Sequence, residues 1–332
     1  MTISEIAKLA GVSSAAVSRY FNNGYISDEK REAIRKVVEE TGYRPSVQAQ
    51  MLRTKKTKMI GVIIPKIDSS AMGSILAGIL SETNAGGYQI LLAVTENNPE
   101  KELEYLSVFD DKQVDAVIFV ATVFTAAHKR ILKNMTLPLV IVGQRLEVYN
   151  CVYHDDFGAG YEMTKHIISR DKKNIGFIGV LKQDKAVGDE RYRGFCSAVA
   201  ESGMPDLKNN YIISDFTIED AYEKAGKLLE TCPGLDALIC ATDKIAIGAI
   251  RYLKEQGKRI PEDIMVAGYG DSTLSIVSEP MLTTLHYYYE DSGLRAAEIL
   301  LDILNRGDTA VKELKLGYDL VIRTSTGGKK DE

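Results

Sequence analysis

The chain has no tryptophan, and only four cysteines, four histidines and eight prolines in 332 residues. Cys151, Cys196, Cys232 and Cys240 show no CxxC spacing, which argues against a zinc ribbon or a disulfide scaffold and leaves reduced thiols as the expectation. His128, His154, His166 and His286 lack HxxxH ligand spacing, so no metal is expected. GxSxG, Walker A and GxGxxG patterns are all missing, so neither an enzyme nor a cofactor is expected. The run His154-Asp155-Asp156 precedes a helical pattern from Ala159 to Ser169, and Asp155 or Asp156 therefore reads as its N-cap. No apolar run approaches the ~20 residues that span a bilayer. The N-terminus opens into a helix start instead of a basic-then-apolar leader, so a soluble, cytoplasmic protein with no membrane partner is expected.

Charge is unevenly distributed. Residues 1–58 hold 11 Lys/Arg against 6 Asp/Glu, a formal +5, and the remainder holds 30 against 40, or −10, within a total of −5. A basic head on an acidic body predicts that only the head meets a polyanion. At this length, with 45% hydrophobic residues, two or three cored domains fit.

Thr2 followed three residues later by Glu5 is a capping-box signature and predicts helix 1 from about Ile3 to Ala10, with Ile3, Ile6, Ala7, Leu9 and Ala10 on its apolar face. Gly11 supplies the left-handed corner, with Val12 beneath it. Ser13 caps helix 2, about Ser14 to Phe21, which turns Val17 and Phe21 inward and Ser14, Ala15, Ser18, Arg19 and Asn22 outward. Ser27 caps a third helix ending near Gly42. Small outward side chains and one arginine suit entry into a major groove, where Arg19 can grip guanine with two hydrogen bonds. An ordinary three-helix bundle with a solvated face is the alternative.

The next segment favours DNA. Pro45 and Ser46 open a helix, about 45–53, too short to persist alone in water, yet Val47, Ala49, Met51 and Leu52 are too apolar for a simple linker. Pairing of two copies on DNA accounts for both facts, with Leu52 as a minor-groove wedge and Arg53 and the following lysines on phosphates.

From Met59 onward, short apolar runs alternate with helical patterns. Strands are expected at Ile60–Ile64, Gln89–Val94, Ala116–Val120, Leu139–Val142, Ile175–Ile178, Tyr211–Ser214, Ala237–Cys240 and Met265–Ala267. Such alternation predicts parallel sheets covered on both faces, here as two Rossmann-like halves, with ligands at the carboxyl ends of the strands. Lys66, Gln144, Arg145, Arg191, Phe216, Thr242, Asp243, Asp271 and Tyr289 lie at such ends or at the expected crossover, and are the candidate effector residues. Arginine, carboxylates and aromatic faces are what a sugar requires. Lys66, Arg145 and Arg191 together would match a phosphate.

Taken whole, the chain resembles the LacI/GalR family of transcription regulators in its head, its hinge helix and its body, in that order. The resemblance implies a helix-turn-helix head with hinge helix joined to an α/β periplasmic-binding-protein-like body. It implies base reading at Ser14, Ala15 and Arg19, minor-groove approach at Ala49 and Leu52, and effector contacts at Arg191, Phe216 and Tyr289; Thr2, Ser13, Ser18, Asn22 and Arg53 complete the candidate DNA-binding residues. Thr242 and Gly270 depart from the family pattern, which puts inherited hydroxyl contacts there in doubt. The segments Phe177–Val180, Cys240–Asp243 and Tyr153–Asp156 are similar to trehalose operon repressors.

The implied boundaries are 1–58 for the DNA-binding domain and 59–332 for the effector-binding and dimerisation domain. Within the latter, one subdomain takes about 59–157 and 288–318, and the other about 158–287 and 319–327. The expected function is a homodimeric repressor of a carbohydrate-utilisation operon on palindromic operator DNA. Release is expected from a sugar or sugar phosphate, such as trehalose-6-phosphate or another disaccharide. The alternatives are a sugar-binding protein of the same body fold, or a corepressor-dependent regulator sensing a nucleobase or a protein. The polar end Gly327–Glu332 carries no heptad pattern, which favours a dimer over a tetramer.

Overall fold

The computed structural model describes residues 1–22, 24–43 and 56–328. The expected hinge helix, with Ala49, Leu52 and Arg53, lies outside them. The chain divides into two compact units, Met1–Lys58 and Met59–Glu332.

In the first unit, α1 (Ile3–Leu9), α2 (Ser14–Phe21) and α3 (Asp28–Thr41) surround a small core of Ile6, Ala7, Ala16, Val17, Ile26 and Ile34. The capping box forms in both directions: Thr2 N–H donates to Glu5 Oε2 at 2.7 Å, and Glu5 N–H donates to Thr2 Oγ1 at 3.3 Å. Gly11 turns the corner at φ 64°. Ser13 Oγ accepts from Ala16 N–H at 3.2 Å.

Two expectations change. Ser27 stands at the N-cap of α3 without a side-chain cap bond; Asp28 and Glu29 in the first turn complement the helix dipole instead. Leu9 is 59% exposed. It sits about 110° from the centre of the stripe formed by Ile3, Ile6, Ala7 and Ala10, beyond the buried arc.

The second unit holds two parallel sheets. The first runs β11-β5-β4-β3-β1-β2, from β1 (Met59–Ile64), β2 (Gln89–Val94), β3 (Ala116–Val120), β4 (Leu139–Val142), β5 (Asn150–His154) and β11 (Glu313–Leu316). The second runs β7-β6-β8-β9, from β6 (Ile175–Gly179), β7 (Tyr211–Ile213), β8 (Ala237–Cys240) and β9 (Met265–Ala267). Between them β10 (Thr284–Tyr287) pairs antiparallel with β12 (Tyr318–Val321). All eight expected strands form. The sequence reading missed β5, β10, β11 and β12, which are short and mix polar with apolar residues.

Helices cover both sheets. In the first lobe α4 (Ser70–Ala85) packs closely on α12 (Tyr289–Arg306). In the second, α7 (Asp156–Ile168) packs on α8 (Arg191–Glu201), and α9 (Ile218–Thr231) on α10 (Asp243–Glu255). Glycine permits the close approaches. A Cβ at Gly78 would collide with the Glu290 carbonyl and one at Gly293 with the Ile75 carbonyl. Gly160 faces the Arg191 carbonyl in the same way, and Gly194 faces that of Phe157. The two lobes therefore share a reciprocal glycine crossing.

The chain passes between lobes three times: from β5 into α7, from β10 into α12, and from β11 into β12.

Candidate functional site

The head presents one face for a ligand. Ser14, Ala15, Arg19 and Asn22 are exposed on α2, and Ser18 is half-buried. Val17 is fully buried and Phe21 partly so, against Tyr20 and Tyr43. Thr2 and Ser13 use their hydroxyls as helix caps. Asn22 Nδ2 donates to the Ser18 carbonyl at 2.5 Å. A capped helix with short outward side chains lets its backbone approach a groove floor, and Arg19 is its long reach.

In the second unit a cavity of ≈ 410 Å³ opens where the carboxyl ends of both sheets face each other. Of the nine candidate effector residues, Lys66, Arg191, Phe216, Thr242, Asp243 and Tyr289 line it.

Arg191 is 4% exposed. Its Nε donates to Asp156 Oδ1 at 2.7 Å and its Nη1 to the Ala241 carbonyl at 2.6 Å. The guanidinium lies 4.9 Å from the Tyr269 ring centroid and 4.8 Å from that of Tyr287. Burial is the largest influence on its ionisation and works against the charge, but Tyr287, Asp156 and Tyr289 together hold its pKa above the ordinary value.

Asp243 binds the chain after β9 to the head of α10. Its Oδ2 accepts from Ser272 N–H at 2.7 Å and Ser272 Oγ at 2.9 Å, and its Oδ1 from Thr284 Oγ1 at 2.5 Å. Burial pushes its carboxyl up, against these hydrogen bonds. Thr242 caps α10 by accepting from Ile245 N–H at 3.3 Å. Tyr289 sits 5.3 Å from the His154 ring, its phenol pushed up to about 12 by burial.

Contacts also cross the cleft between lobes. Lys66 Nζ stands 5.7 Å from the Phe216 ring centroid. Lys244 Nζ, on α10, is 3.4 Å from Asp68 Oδ2, on the loop after β1.

The remaining candidates lie elsewhere. Arg145 does not line the cavity: its Nε pairs with Glu313 Oε2 at 2.8 Å and its Nη1 with Glu147 Oε1 at 3.8 Å, on the surface. The three-cation phosphate cluster of Lys66, Arg145 and Arg191 therefore does not assemble. Asp271 is drawn away by Arg323 Nη2 at 2.7 Å and His286 Nδ1 at 3.0 Å. Gln144 is buried behind the cavity, where its Nε2 donates to the Thr122 carbonyl and approaches Asp184 Oδ1 at 3.5 Å.

Sequence reasoning missed His154, Asp156, Asp184 and Tyr269, all of which line the cavity. Asp155 is the N-cap of α7, accepting from Gly158 N–H at 3.2 Å. Asp156 is one residue further round the first turn, which aims it at Arg191 instead. Tyr269 and Asp271 share one strand-end loop, and the strand-end rule selects the loop without selecting the residue. Asp184 caps the π-helical turn 185–190 that leads into α8, accepting from Val187 N–H at 3.0 Å. Burial pushes its carboxyl up to about 6, against the Val187 N–H and Arg191. Among the described residues no group of His, Cys, Asp and Glu is placed to hold a metal, and no helix is long and apolar enough to cross a membrane.

Comparisons with known proteins follow the same division. Residues 2–46 match the model of bacterial regulatory proteins of the lacI family, and residues 164–326 match a periplasmic binding protein-like domain. The sucrose operon repressor of Staphylococcus xylosus is 32% identical over 305 residues, 92% of each chain. The HTH-type transcriptional repressor PurR of Pasteurella multocida is 32% identical over 331 residues, 98% of each chain. Among solved structures, the transcriptional regulator CelR in its cellobiose complex superposes with a TM-score of 0.76 at 26% identity, covering 98% of this chain and 99% of that one. A lac repressor dimer bound to operator and an anti-inducer superposes at 0.89 over the same shares; at 23% identity it speaks for the fold alone. The chain belongs to the lacI family of bacterial regulatory proteins, and is a DNA-binding transcriptional repressor and not an enzyme.

Proposed function

We propose that this repressor controls a carbohydrate-utilisation operon and responds to a sugar-class effector held in the cleft of its second unit. One observation carries the reading: a cavity of ≈ 410 Å³ at facing strand ends, combining a fixed guanidinium, carboxylates and aromatic faces. Vicinal hydroxyls suit such paired donors and acceptors, and the apolar face of a sugar ring suits Phe216, Tyr269 and Tyr289.

In this reading a homodimer places two copies of α2 in successive major grooves of a palindrome, with Ser14, Ala15, Ser18, Arg19 and Asn22 at the bases and Ala49, Leu52 and Arg53 of paired hinge segments at its centre. Effector binding changes the closure of the cleft, and closure changes the geometry of the two DNA-binding units. The relative named for a sucrose operon and the structure that holds cellobiose favour a sugar over other effector classes.

The test is selection of genomic fragments retained by the full-length protein, followed by titration of sugars against the retained operator. Sequence-selective retention that a sugar relieves is the expected result. Tightening by the same sugar reverses the sign of regulation with the same parts. Fragments retained without sequence preference would remove the operator reading.

A further inference from the structure

We propose that the cavity selects an uncharged, hydroxyl-rich ligand and rejects phosphorylated ones, with His154 Nε2 accepting a hydrogen bond from a ligand hydroxyl. This rests on the effector reading above and narrows it.

The first ground is an orphaned acceptor. His154 is 8% exposed and its Nε2 has no hydrogen-bond partner among the described residues. The Tyr288 backbone beside the ring favours the tautomer with its N–H on the other nitrogen, and burial keeps the imidazole neutral, against Asp156 beside it. In that tautomer Nε2 carries a lone pair and can only accept. The Tyr269 hydroxyl, at the same cavity, is also buried without a partner. A sugar hydroxyl donates and accepts, and so meets both atoms. A phosphate dianion standing in place of the hydroxyl that faces Nε2 has no proton to give His154. A site built to bond a hydroxyl rejects an analogue that leaves its buried polar atom unmet.

The second ground is charge. The cavity wall carries Lys66, Arg191 and Lys244 against Asp68, Asp156, Asp184 and Asp243. Arg191 is engaged by Asp156 and by the Ala241 carbonyl, and Lys244 by Asp68. Among the described residues, Lys66, over the Phe216 ring, is the one of these three cations without an ion-pair partner. A phosphate would bring up to two negative charges beside carboxylates that are themselves under a tenth exposed: Asp156, Asp184 and Asp243. Water does not screen that repulsion well in such a site.

Matched pairs test it: sucrose, trehalose and cellobiose, each against its 6-phosphate, by thermal shift and titration calorimetry on the full-length protein. At least one parent sugar should bind, about tenfold or more tighter than its phosphate. Tighter binding of any phosphate than of its parent, or binding of none of the parents, overturns the proposal.

Substitutions refine the test. With the sugar that binds, His154→Leu should weaken affinity by about tenfold or more, and His154→Gln, which keeps an acceptor, should recover most of it. Equal losses in both, or none, count against the acceptor role. Asp156→Asn should move the phosphate-to-parent affinity ratio toward the phosphate, and no movement removes the charge argument. Melting of each variant without sugar reports whether it folds. Operator retention by the parent protein reports the repressor reading separately: retention together with a preference for phosphates sinks this proposal and leaves that reading standing.

Discussion

Arg191 and Asp156 each begin a helix, α8 and α7, and they meet there at 2.7 Å with both side chains nearly buried. The helix dipole favours a carboxylate at that end and disfavours a guanidinium. Asp156 is thus at home, and it makes Arg191 tolerable.

Removing one member leaves the other as an uncompensated buried charge. Arg191→Ala should therefore cost about 3–5 kcal/mol of stability besides abolishing the effector response. The double variant Arg191→Met with Asp156→Leu should cost less than either single change. Urea unfolding of the parent, the singles Arg191→Met and Asp156→Leu, and the double variant checks this, and additive losses would show that the pair does not act as a unit.

Asp184 sets a pH dependence whose sign is fixed by its displaced titration. Its carboxyl is pushed from an ordinary 3.8 up to about 6 in the fold. Between those values the folded chain holds a proton that the unfolded chain has lost, so stability from this group is greatest at low pH and falls as pH rises, by about 3 kcal/mol in all. Asp184→Asn should therefore raise the melting temperature without ligand by several degrees near neutrality and by little at about pH 4. An equal gain at both values would rule out the buried charge as the cause.

His166 acts in the opposite sense. Its Nε2 lies 2.9 Å from Thr326 Oγ1, and burial holds its pKa down to about 4. A neutral buried imidazole contributes stability at neutral pH that is lost as pH falls from about 6.5 toward 4. In Asp184→Asn this acid loss should stand uncovered, as a steeper decline below neutrality than the parent shows in the same melts.

On DNA, Arg19→Ala should weaken the selected operator by about 1–3 kcal/mol and relax its base preference at one position. Leu52→Ala should weaken operator binding while leaving salt-dependent nonspecific binding nearly intact. Competition titrations at two salt concentrations separate the two, and equal loss on both kinds of DNA would remove the wedge role of Leu52.

Gly160→Ala would press a methyl group on the Arg191 carbonyl. A cost of about 1–3 kcal/mol is expected, together with weaker effector binding because α8 must shift. Unchanged affinity would mean that the crossing does not set the position of Arg191.

The head was legible because its signals are local: Thr2 with Glu5, Gly11 and Ser13 each act within one turn of the chain. Eight strands were legible because apolar β-branched runs between helices have few other homes. The edge strand β11 and the crossover strands β10 and β12 were not, since their pairing depends on segments distant in sequence. The same limit applied in the cavity. Strand-end position found Arg191, Phe216 and Asp243, but whether a strand-end side chain turns inward depends on partners far along the chain. Glu313 draws Arg145 to the surface, Arg323 draws Asp271 aside, and Arg191 draws Asp156 in.

The three passages between lobes run side by side, at His154–Asp156, Tyr287–Tyr289 and Leu316–Tyr318, and residues of the first two line the cavity. Three tethers in a row permit a door-like swing and oppose both twisting and sliding. They also make the lobes inseparable by one break. A protease that cuts a single tether would leave the other two bearing the same axis, so a nicked chain should still open and close on its ligand.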